Sequence, residues 1–115
     1  MKRVLIVDDD PLVRSILKSM LSKEYKVYEA ENGKEAIALY KVYKPDLVLM
    51  DVVMPEMDGI KASEMILKID PNAKIIGVTA YAKGKGKELV NAGALEVLEK
   101  PITRERLSER MRKYL

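Results

Sequence analysis

The sequence predicts an α/β protein with a doubly wound parallel sheet of five strands and five helices. Five short apolar runs alternate along the chain with segments whose apolar residues recur at helical spacing. Such alternation is typical of a parallel sheet with helices on both faces, because right-handed crossovers return each strand to the same sheet. At 115 residues we expect one domain, residues 1–115. The predicted strands cover residues 3–7, 26–30, 46–51, 74–79 and 95–99.

The first three predicted helices each begin beside residues that favour a helix start. Apolar residues recur at helical spacing after Pro11, which suits the first helical position. Asn32-Gly33 breaks the chain before the second helix. Asp58-Gly59 is predicted to form only a turn and cap before the third helix, over residues 60–69.

The sequence favours the fourth predicted helix less strongly than the fifth. The fourth, over residues 82–92, is weak because Gly84 and Gly86 lie inside it, and each glycine costs about 1 kcal/mol relative to alanine. Thr103 is a good N-cap for the fifth helix, and Leu107 is predicted to face the core.

The composition excludes several classes of chemistry. The chain has no Cys and no His. These absences exclude disulfides, zinc–thiolate sites, thiol nucleophiles, a Ser-His-Asp triad and a phosphohistidine in this chain. Any catalysis must therefore use carboxylates, hydroxyls, lysines or a metal ion.

Charge and hydropathy predict a cytoplasmic protein with a basic C-terminal third. No apolar run approaches the roughly 18–20 residues that a membrane-spanning helix needs, and the first residues do not resemble a signal peptide. Residues 80–115 carry nine basic and five acidic residues, whereas residues 1–79 carry 12 and 13. This is weak evidence for nucleic acid, and an acidic protein partner is at least as plausible. Abundant Lys and Glu, without Cys, Gln, His, Trp or Phe, predict a thermophilic source.

Acidic residues follow two of the predicted strands. Asp8-Asp9-Asp10 ends the first apolar run, and Asp51 ends the third. Two carboxylates about 4 Å apart repel by roughly 4 kcal/mol at an effective dielectric near 20, so a cation or a shifted pKa normally accompanies such a cluster. Since ligands of open parallel sheets bind outside the carboxyl ends of the strands, one metal site is predicted there. Asp10 is predicted to be a helix-start acid rather than a ligand.

Four short motifs follow the ends of the predicted first, third, fourth and fifth strands. They are Val7-Asp8-Asp9-Asp10-Pro11, Met50-Asp51-Val52-Val53-Met54-Pro55-Glu56-Met57-Asp58-Gly59, Val78-Thr79-Ala80 and Glu99-Lys100-Pro101. Together and in this order they resemble the receiver domain of response regulators, the CheY-like family. The resemblance covers essentially the whole chain, and it implies the flavodoxin-like strand order 2-1-3-4-5.

The resemblance implies a site for phosphoryl transfer. Asp51 is then the phosphoacceptor, since a carboxylate can act as a nucleophile and give an aspartyl phosphate. The Thr79 hydroxyl and the Lys100 ammonium contact the phosphoryl oxygens, and the Lys100-Pro101 peptide is cis. Asp8 binds the cofactor Mg²⁺ directly or through water. The implied metal ligands are Asp8, Asp9, Asp51 and the backbone carbonyl of Val53.

Two positions depart from the family pattern. Three residues before the Lys, the family usually carries Tyr or Phe, whose rotamer follows the phosphorylated state, whereas this chain has Val97. A β-branched side chain cannot make the same swing, so we predict that the signal instead orders the segment Tyr81 to Lys87 after Thr79. The Val53 side chain is apolar at a position where the family often has a polar group that steers water.

These features imply a stand-alone, monomeric response regulator that is not an enzyme in the usual sense. It accepts a phosphoryl group from a histidine kinase, which must act in trans because the chain has no His. Output then occurs by contact of residues 80–115 with a target protein, without direct binding of nucleic acid or membrane. A chemotaxis-type regulator, a phosphorelay intermediate and an orphan partner of a sensor kinase all stay open.

Two other classes of protein share parts of this pattern. A Mg²⁺-dependent small phosphatase usually carries Asp-x-Asp at one strand end, which Asp51-Val52-Val53 does not match. A flavodoxin-like FMN carrier needs a hydroxyl- and glycine-rich phosphate loop after the first strand, where this chain has three acids. The sequence therefore favours the response regulator.

Overall fold

The computed structural model describes all 115 residues, and its strands form one five-stranded sheet. Their order across the sheet is β2-β1-β3-β4-β5, and every neighbouring pair is parallel. The predicted fold class and strand order are confirmed. The bounds of the first two strands are as predicted, and the other three are shorter by one or two residues. The strands are β1 (Arg3–Val7), β2 (Lys26–Ala30), β3 (Leu47–Met50), β4 (Ile75–Thr79) and β5 (Glu96–Glu99).

Five helices connect or follow the strands, and four of them begin at a side-chain cap. Asp10, Asn32, Asp58 and Thr103 each accept a hydrogen bond from a backbone N–H of the first turn. The predicted helix-start roles of Asp10, Asp58 and Thr103 are confirmed, and Asn32, predicted only to break the chain, caps the second helix. The helices are α1 (Pro11–Leu21), α2 (Gly33–Tyr43), α3 (Gly59–Ile69), α4 (Lys85–Asn91) and α5 (Arg104–Arg112).

The helices divide between the two faces of the sheet, and each face has its own core. On one face α2, α3 and α4 pack over buried residues that include Leu5, Val48 and Ile66. On the other face α1 and α5 pack over buried residues that include Ile6 and Leu107. Leu5 and Ile6 are adjacent in β1 and point to opposite faces, as the alternation of a strand requires. Burial on both faces explains why the three inner strands, β1, β3 and β4, are mostly apolar, whereas the edge strands β2 and β5 carry charged residues.

The fourth helix is shorter than predicted. It begins at Lys85, and Gly84 lies at its N-cap position without a side-chain hydrogen bond, outside the helix. Residues 80–84 form turns, in which the Tyr81 carbonyl accepts a hydrogen bond from the Gly86 amide at 3.2 Å. This five-residue spacing is wider than the four-residue spacing of an α-helix, so regular helical bonding starts only beyond it. None of the helices has the length and apolar character needed to cross a membrane.

Candidate functional site

The sheet brings two acid-bearing loops side by side. β1 and β3 are neighbours, with Val7 opposite Met50. Asp8 and Asp51 are the next residues, so both leave the same edge of the sheet. The Asp8 amide donates to the Ala30 carbonyl at 3.1 Å, and the Asp51 amide donates to the Val7 carbonyl at 2.9 Å. The backbone bonding therefore continues past each strand and fixes where both side chains begin.

Three carboxylates form a cluster at this edge. Asp8, Asp9 and Asp51 each offer an oxygen, and these oxygens lie within 4.8 Å of one another. Asp8 and Asp51 are buried, whereas Asp9 is exposed. Hard oxygen donors at this separation fit a hard divalent cation such as Mg²⁺, which keeps several waters and needs few protein ligands. The structure thus brings together the three predicted carboxylates, and their chemistry suits the predicted ion.

One lysine reaches two of these carboxylates from the end of β5. The Lys100 Nζ lies 2.5 Å from Asp8 Oδ2 and 3.4 Å from Asp51 Oδ2. Burial opposes the charge on this ammonium, but the Asp8 hydrogen bond and the Asp51 charge outweigh burial and raise the pKa of Lys100. The Lys100-Pro101 peptide is cis, as predicted. Lys100 therefore supplies a positive charge within reach of both carboxylates.

Asp51 lies in an environment that disfavours its charge. Burial and the neighbouring Asp8 charge raise the pKa of its carboxyl group. The Lys100 charge and hydrogen bonds from the Val52 amide and the Thr79 hydroxyl oppose that rise without cancelling it. The Val52 amide donates to Asp51 Oδ1 at 2.8 Å. The cluster therefore retains repulsion that an added cation would relieve.

Thr79 borders the site from β4. It is the last residue of that strand, it is fully buried, and its carbonyl accepts a hydrogen bond from the Lys100 amide at 3.0 Å. Its Oγ1 also accepts a hydrogen bond from the Tyr81 amide at 3.2 Å. Thr79 therefore links the acidic cluster to the turn that leads into α4.

Asp10 and Val53 flank the cluster. The Asp10 carboxylate accepts a hydrogen bond from the Leu12 amide at 2.9 Å and caps α1, and it is not part of the carboxylate cluster. Val53 lies in the loop after β3 and is 49 % exposed. Metal coordination by the Val53 carbonyl stays a prediction.

A glycine lies against the backbone that carries Asp51. The Gly59 amide donates to the Val52 carbonyl at 2.8 Å. A Cβ atom on Gly59 would lie 1.9 Å from the Asp51 carbonyl oxygen, far inside van der Waals contact. Only glycine permits this close approach. The Asp58-Gly59 turn therefore supports the loop of the site in addition to capping α3.

Val97 packs between β4 and α4. A Cβ atom on Gly77 would lie 3.1 Å from Val97 Cγ2, and a Cβ atom on Gly86 would lie 3.3 Å from Val97 Cγ1. The valine side chain thus fills the space between two backbone segments that carry no side chains. The absence of an aromatic swing at this position stays a prediction.

Arg14 contacts the site, although the sequence patterns did not single it out. Its Nη1 donates to the Asp8 carbonyl at 2.7 Å, and its Nε lies 3.4 Å from Glu29 Oε1. The side-chain pattern of the sequence could not have indicated it, because its acceptor is a main-chain carbonyl.

The chain matches one family along nearly its whole length. Residues 4–112 match the response regulator receiver domain. The chain belongs to this family. Among related receiver proteins, the chemotaxis protein CheY of Thermotoga maritima is 48 % identical over 115 residues, which cover 97 % of this chain and 96 % of that protein. The sporulation initiation phosphotransferase F of Bacillus subtilis is 36 % identical over 119 residues, which cover 99 % and 94 %.

A solved receiver structure agrees with the fold. The response regulator protein TrrA of Thermotoga maritima, in complex with Mg(2+)-BeF, is 37 % identical, covers both chains completely and superimposes with a TM-score of 0.91. The resemblance drawn from the four motifs is confirmed. The family match and the similarity to CheY make this chain a response regulator of the CheY-like type. Receiver domains are signalling domains rather than classical enzymes.

Proposed function

We propose that this receiver domain accepts a phosphoryl group on Asp51 from a histidine kinase, with Mg²⁺ as its cofactor. The observation that carries the proposal is the convergence of Asp8, Asp9 and Asp51 with Lys100 at one edge of the sheet. Buried carboxylates that share one ammonium suit a site that binds a cation and a phosphoryl group together. We further propose that the chain works as a stand-alone monomer in the cytoplasm.

The chain's own residues suit transfer to a carboxylate. An Asp51 carboxylate oxygen forms the new P–O bond as the P–N bond of a donor phosphohistidine breaks and the imidazole leaves. The Lys100 ammonium is placed to contact one phosphoryl oxygen, and the Thr79 hydroxyl donates to another. Bound Mg²⁺ would neutralise charge on the phosphoryl oxygens. The residues that would hold it are Asp8, Asp9, Asp51 and the Val53 carbonyl.

The donor histidine must lie outside these 115 residues, which contain no His. An apolar groove of about 400 Å³ lies between α1 and the loop after β5, and its lining includes Val13, Ile16 and Ile102. Lys100 also lines this groove, so a molecule bound there would lie close to Asp51. At the rim, Ile16 is 46 % exposed. We propose that an apolar surface of the kinase's histidine-bearing domain docks over this groove.

Output is proposed to occur through residues 80–115, beginning with the segment Tyr81 to Lys87. The Tyr81 amide bonds to Thr79 Oγ1, so any movement of that hydroxyl toward a phosphoryl group acts on this turn. The turn lacks a side-chain cap at Gly84, which keeps the start of α4 weakly held. Hydrogen exchange with and without beryllofluoride tests the proposal. We expect slower exchange across residues 80–92, and unchanged exchange there with changes elsewhere would contradict it.

Incubation with acetyl phosphate and Mg²⁺, followed by intact-mass measurement, tests the proposed function most directly. We expect one added phosphate that hydrolyses slowly and that does not form in EDTA. Rapid turnover of many phosphate esters would instead indicate a Mg²⁺-dependent phosphatase, and no mass gain would contradict phosphorylation from a small donor.

A phosphorelay intermediate is the second candidate. Similarity to a protein named as a sporulation initiation phosphotransferase favours it, whereas similarity to chemotaxis proteins favours output through a motor or adaptor protein. Labelled phosphoprotein mixed with a histidine phosphotransfer domain distinguishes the two. Rapid transfer of the label supports the relay, and retention on the chain supports direct output.

A further inference from the structure

The guanidinium of Arg14 joins the acidic loop to the edge strand β2. Its Nη1 donates to the main-chain carbonyl of Asp8 at 2.7 Å, and its Nε lies 3.4 Å from Glu29 Oε1. The Arg14 side chain is only 16 % exposed. A guanidinium is a planar fork of donors, so one side chain can hold a carbonyl and a carboxylate at the same time.

The carbonyl that Arg14 holds belongs to the peptide between Asp8 and Asp9. Asp8 is already fixed by other bonds, since its Oδ1 accepts from the Asp10 amide at 2.9 Å and its Oδ2 contacts Lys100 at 2.5 Å. The exposed Asp9 side chain makes no hydrogen bond or ion pair within the protein. Only its backbone therefore holds the Asp9 side chain at the site, and the Asp8–Asp9 peptide is part of that backbone.

The position of Arg14 costs electrostatic free energy that Glu29 offsets. Arg14 is the fourth residue of α1, close to the N-terminus, where the helix dipole disfavours a cation. Glu29 pairs with Ile6 in the sheet, and its carboxylate faces both Arg14 and Lys18, the latter at 3.5 Å. The Asp8 carbonyl is a second acceptor that stabilises the guanidinium at this position.

We propose that Arg14, held by Glu29, is a positioning residue for the cation site. It fixes the Asp8–Asp9 peptide so that the Asp9 carboxylate faces those of Asp8 and Asp51. This inference rests on the proposed function, because it requires that a divalent cation binds to these carboxylates. Hydrogen-bonded partners outside the ligand shell commonly change metal affinity by about 10–100-fold, and an effect passed through a peptide is expected to be smaller.

Two charge-conserving variants test the role. Arg14→Lys keeps the positive charge, but a single ammonium cannot span the Asp8 carbonyl and Glu29 as a fork does. Lys18→Arg is the matched control, because Lys18 contacts Glu29 without contacting Asp8. In a calorimetric titration with MgCl₂ we expect the Kd of Arg14→Lys to rise about three- to tenfold. The Kd of Lys18→Arg is expected to stay within about twofold of the wild-type value.

Exchange of the Asp10 amide in metal-free protein gives a second readout. This amide donates to Asp8 Oδ1, so a loosened Asp8–Asp9 peptide should speed its exchange about tenfold in Arg14→Lys and leave it unchanged in Lys18→Arg. Wild-type Mg²⁺ affinity and wild-type exchange in Arg14→Lys would overturn the role of Arg14. Equal effects in both variants would overturn it as well. A wild-type protein that bound no Mg²⁺ would instead overturn the proposed function.

Discussion

Two charged clusters lie at opposite ends of β5, and they are built differently. At the amino end, Glu96 accepts hydrogen bonds from Arg110 at 2.6 and 2.8 Å and another from the Tyr114 hydroxyl. At the carboxyl end, Lys100 contacts Asp51 and a second carboxylate. At one end a single acid has three donors, whereas at the other end two acids share one ammonium.

The two clusters shift the pKa values of their acids in opposite directions. The Arg110 hydrogen bond, with that of Tyr114, outweighs burial and lowers the pKa of Glu96 to about 2. Burial and a neighbouring charge raise the pKa of Asp51. Ionisation of Glu96 therefore stabilises the folded state, whereas ionisation of Asp51 destabilises it. The amino-end cluster holds α5 to the sheet, and the carboxyl-end cluster keeps repulsion that a ligand can relieve.

The largest expected effect comes from removing the acceptor. Asp51→Asn should abolish the mass gain from acetyl phosphate. It should also raise the Tm of the metal-free protein by about 4 °C for each 1 kcal/mol of repulsion removed. Asp10→Asn is the control, since Asn caps a helix as well as Asp and this residue lies outside the cluster. Retained phosphorylation in Asp51→Asn would contradict the assignment.

Removal of the metal should have the next largest effect. With Mg²⁺ at about 100 times its Kd, binding adds about 2.7 kcal/mol to the free energy of unfolding, and EDTA should remove it. Asp9→Asn should lose most of this increment, whereas Glu96→Gln should keep it because Glu96 lies at the other end of β5. Thermal unfolding of the wild type, Asp9→Asn and Glu96→Gln, each with Mg²⁺ and with EDTA, measures the increment in each protein. An Asp9→Asn protein with the full increment would show that Asp9 is not a ligand.

Breaking the amino-end cluster should lower stability without affecting phosphorylation. Arg110→Met removes both guanidinium bonds to Glu96 and should reduce the free energy of unfolding that is measured in urea. Arg106→Met is the control, since Arg106 is largely exposed and lies 3.8 Å from its nearest acid. The phosphorylation rate of Arg110→Met should equal that of the wild type. A comparable loss of stability in Arg106→Met would contradict the claim that the bonds to Glu96 stabilise the fold more than an exposed ion pair does.

The smallest expected effect is the pH dependence of stability that comes from Glu96. Because the folded state holds the pKa of Glu96 at about 2, below its ordinary value of 4.5, its ionisation stabilises the protein at pH values above about 5. That contribution is lost as the pH falls toward 2. The difference in unfolding free energy between the wild type and Glu96→Gln should therefore shrink steadily across this range. Urea titrations from pH 6 to pH 2.5 measure this difference. If it stayed constant, the stabilising bonds from Arg110 and Tyr114 to ionised Glu96 would be contradicted.

Sequence periodicity predicted the sheet and the pairing of Asp8 with Asp51, because both depend on the order and polarity of the strands. It placed the start of α4 too early, since a glycine-rich segment can continue as turns at little cost and helical spacing cannot distinguish the two. Arg14 was missed because its acceptor is a backbone carbonyl, which leaves no mark in the side-chain pattern. The close approach of Gly59 to Asp51 was missed for the same reason.

The place of β5 at the margin of the sheet also bears on self-association. A strand with one free edge exposes N–H and C=O groups that can pair with a second molecule and begin aggregation. Here that strand has four residues and carries an acid at each end, Glu96 and Glu99. Two such four-residue edges brought together would form few hydrogen bonds. A short edge of this kind disfavours pairing of two molecules through β5.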